Sequence, residues 1–247
     1  GTETLVIDQT ITANAIDFTG SGDAGGDTLD IDQNLAAGTS LTLDNLQTVA
    51  VAQDVDLSAA RARATGVSEL DRVLGGGLVP GAAILLAGEP GVGKSTLLLS
   101  VAAQSAAKGI PALYISGEES ASQVRLRAER IKAVDPQLFL ASETDLGAVI
   151  AHIDAVKPEL LIIDSVQTIG SSTADGSPGG VTQVREVAGA LIRICKDRDI
   201  TLLLVGHVTK DGSIAGPRLL EHIVDVVLQF EGERHSRLRL IRAIKNR

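Results

Sequence analysis

The sequence predicts an α/β fold, in which a mainly parallel sheet carries helices on both faces. After residue 61, short and nearly continuous apolar runs alternate with helical patterns, as in parallel sheets that are buried on both sides. A glycine-rich phosphate-loop pattern at residues 88–95 joins one apolar run to a helix. Two further apolar runs near the end are separated by a short polar stretch, which predicts an antiparallel hairpin at one edge of the sheet.

The elements follow from apolar runs of five to eight residues for strands and from longer Leu- and Ala-rich or charged stretches for helices. Strands are predicted at residues 82–87, 111–116, 137–141, 160–164 and 201–205, with the hairpin formed by 224–231 and 238–244. Helices are predicted at residues 96–108, 120–134, 146–156 and 181–197.

The first 60 residues differ in charge from the rest. They contain ten Asp and Glu and no Lys or Arg, although the whole chain has 31 acidic and 22 basic groups and a net charge of −9. The remaining residues are therefore close to neutral, at +1. We divide the chain into an acidic leader or small β-appendage of unknown role, residues 1–56, and a core, residues 57–247.

Short alternating patches in the leader suggest β-strands at residues 5–7, 11–13, 29–31 and 41–43. Residues 20–27, rich in Gly and Asp, resemble one turn of a calcium-binding β-roll. Such rolls depend on stacked repeats, and the sequence has a single copy, so a glycine-punctuated linker or a β-appendage is the favoured interpretation.

Composition excludes several classes of protein. No stretch approaches the roughly 20 apolar residues of a membrane span, and no signal peptide is visible, so we expect a cytoplasmic protein without membrane contact. The one cysteine, Cys195, rules out an internal disulfide and a cysteine-based zinc cluster. Its apolar helical context predicts a buried packing role.

The phosphate-loop pattern predicts a site for ATP and Mg²⁺. Glycines let successive main-chain N–H groups point at a phosphate, and the following helix adds partial positive charge. Lys94 would reach the β- and γ-phosphates, and the Ser95 hydroxyl would hold Mg²⁺. The predicted nucleotide contacts are Gly88, Glu89, Pro90, Gly91, Val92, Gly93, Lys94, Ser95 and Thr96.

Carboxylates at the ends of two other predicted strands are the next candidates. Asp164 ends an apolar strand and should emerge where ligands bind in open α/β sheets, which suits a second Mg²⁺-holding group. Glu118 and Glu119 follow the strand that ends at Ser116, and either could activate water. Both could equally be first-turn acids that favour a helix dipole, and the residues alone leave that choice open.

Several segments together resemble RecA-superfamily ATPases, and most closely the bacterial RadA (Sms) family. The resemblance covers about residues 57–247. The segments that carry it lie at residues 65–81, 114–120, 163–168, 206–212, 215–222 and 245–247. It implies a RecA-like P-loop fold and a hexameric, ATP-driven motor on single-stranded DNA that extends recombination intermediates by branch migration. Partners would include a recombinase or a replicative helicase.

The resemblance also implies roles for individual residues. Glu118 matches the catalytic glutamate, and His207 matches the position that senses the γ-phosphate. Lys245 and Arg247 match cations that reach the nucleotide of a neighbouring subunit. A loop at residues 170–180 would line the channel for DNA, with Arg185, Lys210 and Arg218 as candidate positive contacts.

Some features weaken the likeness to a complete DNA motor. The family's four-cysteine zinc finger and its protease-like C-terminal domain do not occur in this sequence. The core charge of +1 is far from a basic footprint, and three Phe with one Tyr offer little stacking surface for bases. A nucleotide-gated oligomeric assembly module that binds protein rather than DNA is therefore the alternative hypothesis.

Overall fold

The computed structural model describes residues 4–7, 15–19, 28–31, 40–44, 48–51, 62–207, 217–232 and 238–246. The chain forms two compact units, Gly1–Arg61 and Ala62–Arg247, which we describe separately.

The first unit contains five short strands in two parallel sheets. One sheet has the order β1-β3-β5 and the other pairs β2 with β4, so successive strands alternate between the sheets. This alternation is typical of β-solenoids, in which each coil stacks on the previous one. The strands are β1 (Thr4–Ile7), β2 (Ala15–Thr19), β3 (Thr28–Ile31), β4 (Ser40–Asp44) and β5 (Thr48–Val51).

Three predicted strands of the leader coincide with β1, β3 and β4. The patch predicted at residues 11–13 lies outside the described residues, and β2 and β5 were not predicted. Residues 20–27, interpreted as a β-roll-like turn, also lie outside the described residues.

The second unit is built on a seven-stranded sheet, and the predicted α/β class is confirmed. Its strand order is β12-β11-β6-β10-β9-β7-β8, and every neighbouring pair is parallel except the antiparallel β11 and β12. The strands are β6 (Ala83–Gly88), β7 (Ala112–Ser116), β8 (Leu138–Ser142), β9 (Leu160–Asp164), β10 (Thr201–His207), β11 (Val226–Gly232) and β12 (Arg239–Asn246).

Helices cover both faces of this sheet, because the central strands are apolar on both sides. On β9, Leu161 and Ile163 contribute to one buried cluster with α4 and α5, whereas Leu160 and Ile162 contribute to another with α1, α2 and α3. The helices are α1 (Ser68–Leu74), α2 (Lys94–Ala106), α3 (Ala121–Arg130), α4 (Leu146–Val156), α5 (Val181–Asp197) and α6 (Pro217–Leu220).

The bounds of α4, β9 and α5 agree with the prediction, and others differ by a few residues. The helix predicted at 120–134 ends at Arg130, and Lys132 just beyond it has a positive φ of 56°. The strand predicted at 201–205 continues to His207, because Gly206 and His207 stay paired with Ala87 and Gly88 of β6.

Cys195 packs in the core as predicted. It is buried between α5 and the sheet, and burial raises the pKa of its thiol to about 12, which disfavours the reactive thiolate. None of the helices within the described ranges has the length and apolar character needed to cross a membrane.

Candidate active site

The strand order gathers the predicted site residues at one edge of the sheet. Strands β6, β10, β9 and β7 are adjacent and parallel, so their carboxyl ends share this edge. The strand register also aligns these carboxyl ends, because His207 of β10 pairs with Gly88 of β6, and Ser116 of β7 pairs with Asp164 of β9. Glu118 follows β7 by two residues. The phosphate loop, His207, Asp164 and Glu118 are therefore brought to one place by topology alone.

The phosphate loop has the backbone that an anion cradle requires. Gly91 and Gly93 adopt φ values of 80° and 107°, in the left-handed region that favours glycine. A Cβ at Gly88 would come within 2.3 Å of the Phe230 carbonyl oxygen, so the strand end also requires glycine. Helix α2 begins directly after Gly93, and the N–H groups of its first turn have no partners within the helix. They are therefore suited to bind phosphate.

Lys94 lies at the centre of the site with only 4% of its surface exposed. Its Nζ donates to the carbonyl oxygens of Gly88 at 2.7 Å and Glu89 at 2.9 Å, and lies 3.4 Å from His207 Nδ1. Burial lowers the pKa of Lys94, and the negative charges of Asp164 and Glu118 partly oppose that change. Among the described residues, the direct contacts of this buried ammonium are carbonyl oxygens and a histidine, with the carboxylates of Asp164 and Glu118 near by, so it is well placed to bind a polyphosphate.

Asp164 ends β9 and is 5% exposed, and it accepts a hydrogen bond from the Tyr114 hydroxyl. Burial raises the pKa of Tyr114 well above its usual range, and the charge and hydrogen bond of Asp164 raise it further. The charge of Arg127 and a hydrogen bond with Ser95 act in the opposite direction. Asp164 thus contacts a buried phenol that lies near Ser95.

These oxygens fit a bound Mg²⁺. Among the described residues, no group of three or more His, Cys, Asp or Glu side chains could hold a metal alone. Mg²⁺ in nucleotide sites is commonly held by one or two protein oxygens together with phosphates and water. A single carboxylate, Asp164, and a single hydroxyl, Ser95, beside a phosphate loop match that requirement.

Glu118 is held by two neighbouring strands. Its Oε1 accepts a hydrogen bond from Ser165 Oγ at 2.9 Å and lies 2.8 Å from His207 Nε2. Burial alone would raise the pKa of Glu118. Hydrogen bonds from Ser165 and His207, with the charges of His207 and Lys94, outweigh burial and lower it. A carboxylate that stays ionised at this edge can accept a proton from water.

The structure separates Glu118 from Glu119, which the residues alone left as equal candidates before the resemblance favoured Glu118. Glu119, just before α3, forms an ion pair with Arg127 in the last turn of that helix. Glu118 instead contacts the residue after Asp164 and the residue that ends β10. Of the two glutamates, Glu118 has the contacts expected of the water-activating group.

Sequence reasoning missed four residues that shape this region. Tyr114 and Ser165 hold Asp164 and Glu118, as described above. Gln183 is 3% exposed and organises the loop predicted at residues 170–180, since its amide bonds the main chain of Ser171 and the carbonyls of Ala174 and Gly176. Arg239 of the edge strand donates from Nε to the Val92 carbonyl oxygen at 2.9 Å, which steadies the phosphate loop. Of these four residues, Ser165 could have been predicted from the sequence, because it directly follows Asp164.

The remaining candidate cations lie apart from this cluster or outside the described residues. Lys245 pairs with Val227, and its ammonium donates to the carbonyl oxygens of Glu221 at 2.7 Å and Val224 at 2.6 Å within its own chain. Arg185 is exposed on α5. Arg247 and Lys210 lie outside the described residues, as does the side chain of Arg218.

Comparisons with known proteins agree with this geometry. A family model described as an AAA domain matches residues 48–213. The chain is 59% identical over 197 residues to DNA repair protein RadA of Mycolicibacterium smegmatis, which covers 78% of this chain and 42% of that protein. It is 58% identical over 195 residues to RadA of Mycobacterium tuberculosis, covering 78% and 41%.

The likeness extends to a more distant bacterium. DNA repair protein RadA of Streptococcus pyogenes is 53% identical over 195 residues, covering 79% of this chain and 43% of that protein. The chain therefore spans about two fifths of the length of the curated relatives it matches.

Proposed function

This chain belongs to the AAA domain family and carries a RecA-like ATPase core, and on that premise we propose that it hydrolyses ATP in DNA repair. The observation that carries the proposal is the convergence of Lys94, Asp164, Glu118 and His207 at the end of the phosphate-loop strand. The DNA repair context rests on the relatives named RadA.

Different residues would bind the phosphates, hold Mg²⁺ and activate water for hydrolysis. Main-chain N–H groups of residues 88–96, except Pro90, and the Lys94 ammonium bind the phosphates, and Lys94 exchanges its loop carbonyls for phosphate oxygens. Ser95 and Asp164 would hold Mg²⁺, which supplies positive charge to the phosphate oxygens when bound. Glu118 orients the attacking water and accepts its proton.

His207 is placed to connect nucleotide binding with the rest of the chain. Its two ring nitrogens face Glu118 at 2.8 Å and Lys94 at 3.4 Å. A change in the position of Lys94 on phosphate binding therefore alters the contacts of His207. Because residues 208–216 directly follow His207 in the sequence, we propose that it transmits the nucleotide state to that segment.

We further propose that hydrolysis drives a homo-hexamer along single-stranded DNA in branch migration, with a recombinase or a replicative helicase as partner. Lys245 and Arg247 would complete the site of a neighbouring subunit, for which Lys245 must leave the Glu221 and Val224 carbonyls. Exposed Arg185 on α5, close in sequence to the loop held by Gln183, would contact the DNA backbone with Lys210 and Arg218.

The second candidate is a nucleotide-gated assembly module that binds protein. It is favoured by the core charge of +1 and by the scarcity of aromatic residues, three Phe and one Tyr. Both features weaken the expected contacts with nucleic acid.

ATP turnover with and without single-stranded DNA, measured together with the assembly state by light scattering, distinguishes the two candidates. The DNA motor predicts stimulation by DNA that declines as salt is raised, because phosphate contacts are screened. Nucleotide-dependent assembly with turnover indifferent to DNA would support the assembly module instead. Folded wild-type protein with no measurable turnover in either condition and no nucleotide-dependent assembly would contradict both.

A further inference from the structure

Tyr114 is a buried polar group in the middle of the sheet. Its exposed fraction is 0%, and it lies on β7 between two other strands. A buried tyrosine hydroxyl needs a hydrogen-bond partner, because leaving it unpaired costs free energy. Apolar residues surround it, as it belongs to the cluster beneath α2 and α3. A phenylalanine would fill the same space without that requirement, so the hydroxyl calls for its own explanation.

The hydroxyl extends from the core to the active-site edge. Tyr114 pairs with Ile162, two residues before Asp164 on the neighbouring strand. The ring spans that interval, and the hydroxyl donates to Asp164 Oδ2. Ser95 lies close enough to act on the same hydroxyl. The phenol therefore bonds the carboxylate that would hold Mg²⁺ and lies near the hydroxyl of Ser95.

We propose that Tyr114 is a positioning residue for the divalent cation at this site. The inference rests on the proposed function, since it assumes a nucleotide with Mg²⁺. The phenol fixes one oxygen of Asp164 before that carboxylate meets the cation. Groups that orient metal ligands in this way typically change metal affinity by ten- to hundredfold when removed.

A purely structural role predicts something different. If Tyr114 only fills the core, removal of its hydroxyl changes stability and leaves the dependence on Mg²⁺ as it was. If it positions Asp164, the same change lowers the affinity for Mg²⁺ and spares nucleotide binding that does not involve the metal. The dependence on Mg²⁺ is thus the informative quantity.

The test compares wild type with Tyr114→Phe in calorimetric titrations of ADP, first in EDTA and then over a range of Mg²⁺ concentrations. We expect ADP binding in EDTA to be unchanged and the half-saturating Mg²⁺ concentration to rise about tenfold, as for a lost hydrogen bond to a charged group. The matched control is Thr201→Val, which removes another buried hydroxyl, one that bonds the Val79 carbonyl oxygen. Its Mg²⁺ dependence should equal that of wild type.

A spectroscopic test needs no substitution, because Tyr114 is the one tyrosine of a chain without tryptophan. Tyrosine emission of the wild-type protein therefore reports on this hydroxyl and its partners. With ADP bound, addition of Mg²⁺ should change the emission with the same half-saturation as the calorimetric response. This measurement decides the question even where Tyr114→Phe fails to fold.

Unchanged emission, or equal Mg²⁺ dependence of folded Tyr114→Phe and wild type, would overturn the role of Tyr114 and leave nucleotide binding intact. Absence of ADP binding by the folded wild-type protein, with or without Mg²⁺, would overturn both this role and the proposed function.

Discussion

The two ends of the parallel strands use charged residues in opposite ways. At the carboxyl end, Lys94, Glu118 and His207 face one another across the phosphate loop. At the amino end, Asp225 accepts from the Ala83 N–H at 2.9 Å and pairs with Lys196 of α5 at 2.9 Å. The amino end also borders an open pocket of about 260 Å³ lined mainly by apolar groups, with Asp225, Lys196 and Asn246.

The two ends differ in whether their charged groups form ion pairs within the chain. Asp225 accepts a hydrogen bond from the first residue of β6 and forms an ion pair with Lys196 of α5, so its charge stabilises the fold. Lys94 is 4% exposed, and among the described residues its ammonium contacts carbonyl oxygens and a histidine nitrogen but forms no ion pair with a carboxylate. A buried cation without a close carboxylate partner is costly unless an anion joins it. We infer that one end of the sheet maintains the fold and the other is built for a ligand.

The largest expected effect comes from removing the buried cation. Lys94→Ala should abolish measurable binding of ATP in calorimetric titration, because the phosphates lose their one buried counter-charge. The matched control is Lys196→Ala at the other end of the sheet, which should bind ATP as wild type does. Equal loss in both variants would remove the distinction between the two ends.

The next effect concerns turnover. Glu118→Gln should keep ATP binding and lower turnover by roughly 10²–10⁴-fold, the usual contribution of a general base. Glu119→Gln alters the adjacent carboxylate, which pairs with Arg127, and should retain turnover. Steady-state phosphate release measures both. Turnover by Glu118→Gln at the wild-type rate would remove Glu118 from the catalytic role.

A smaller effect is expected at the amino end. Asp225→Asn should lower the free energy of unfolding in urea by about 1 kcal/mol at pH 7, since an ionised hydrogen-bond acceptor is lost. ATP binding should not change. Burial would raise the pKa of Asp225, but the Ala83 N–H and Lys196 lower it overall. A carboxylate with a lowered pKa stabilises the fold above its unfolded pKa of about 3.9, and the effect is lost as pH falls further.

The difference between Asp225→Asn and wild type should therefore shrink in acid. A difference that stays constant from pH 7 to pH 3 would show that Asp225 acts without its charge.

The smallest effect is a shift in a pH profile. Ser165 donates to Glu118 and lowers the pKa of that carboxyl group. Ser165→Ala should raise that pKa, so that turnover is lost at a higher pH as the solution is made acidic. Turnover measured against pH for wild type and Ser165→Ala checks this direction. If turnover of both proteins falls at the same pH on the acidic side, the result would contradict the assigned hydrogen bond.

Much of the fold was predictable, because its determinants are local. Helix α4 begins after Asp145, whose side chain accepts from the Ala148 N–H, and β9 is an unbroken apolar run. The phosphate loop depends on glycines and a lysine at fixed spacing, so pattern alone located Lys94. Asp164 was likewise predicted from its place at the end of an apolar run.

What the sequence missed depends on register and distance along the chain. The Tyr114–Asp164 bond joins residues 50 apart, and the Arg239–Val92 bond joins residues 147 apart. Neither follows from periodicity, since both require the order and stagger of strands. The parallel pairing of β1 with β3 was missed for the same reason: alternation predicts a strand without predicting its neighbour.

Hydrogen–deuterium exchange of the whole chain, with and without Mg²⁺ and ATP, tests the ligand-binding end of the sheet most directly. The account predicts protection of the main-chain amides of residues 88–96, except Pro90, which has no N–H, with smaller changes near Asp164 and His207. It predicts no change around Ala83 and Asp225. Folded protein whose phosphate-loop amides exchange equally with and without nucleotide would contradict it.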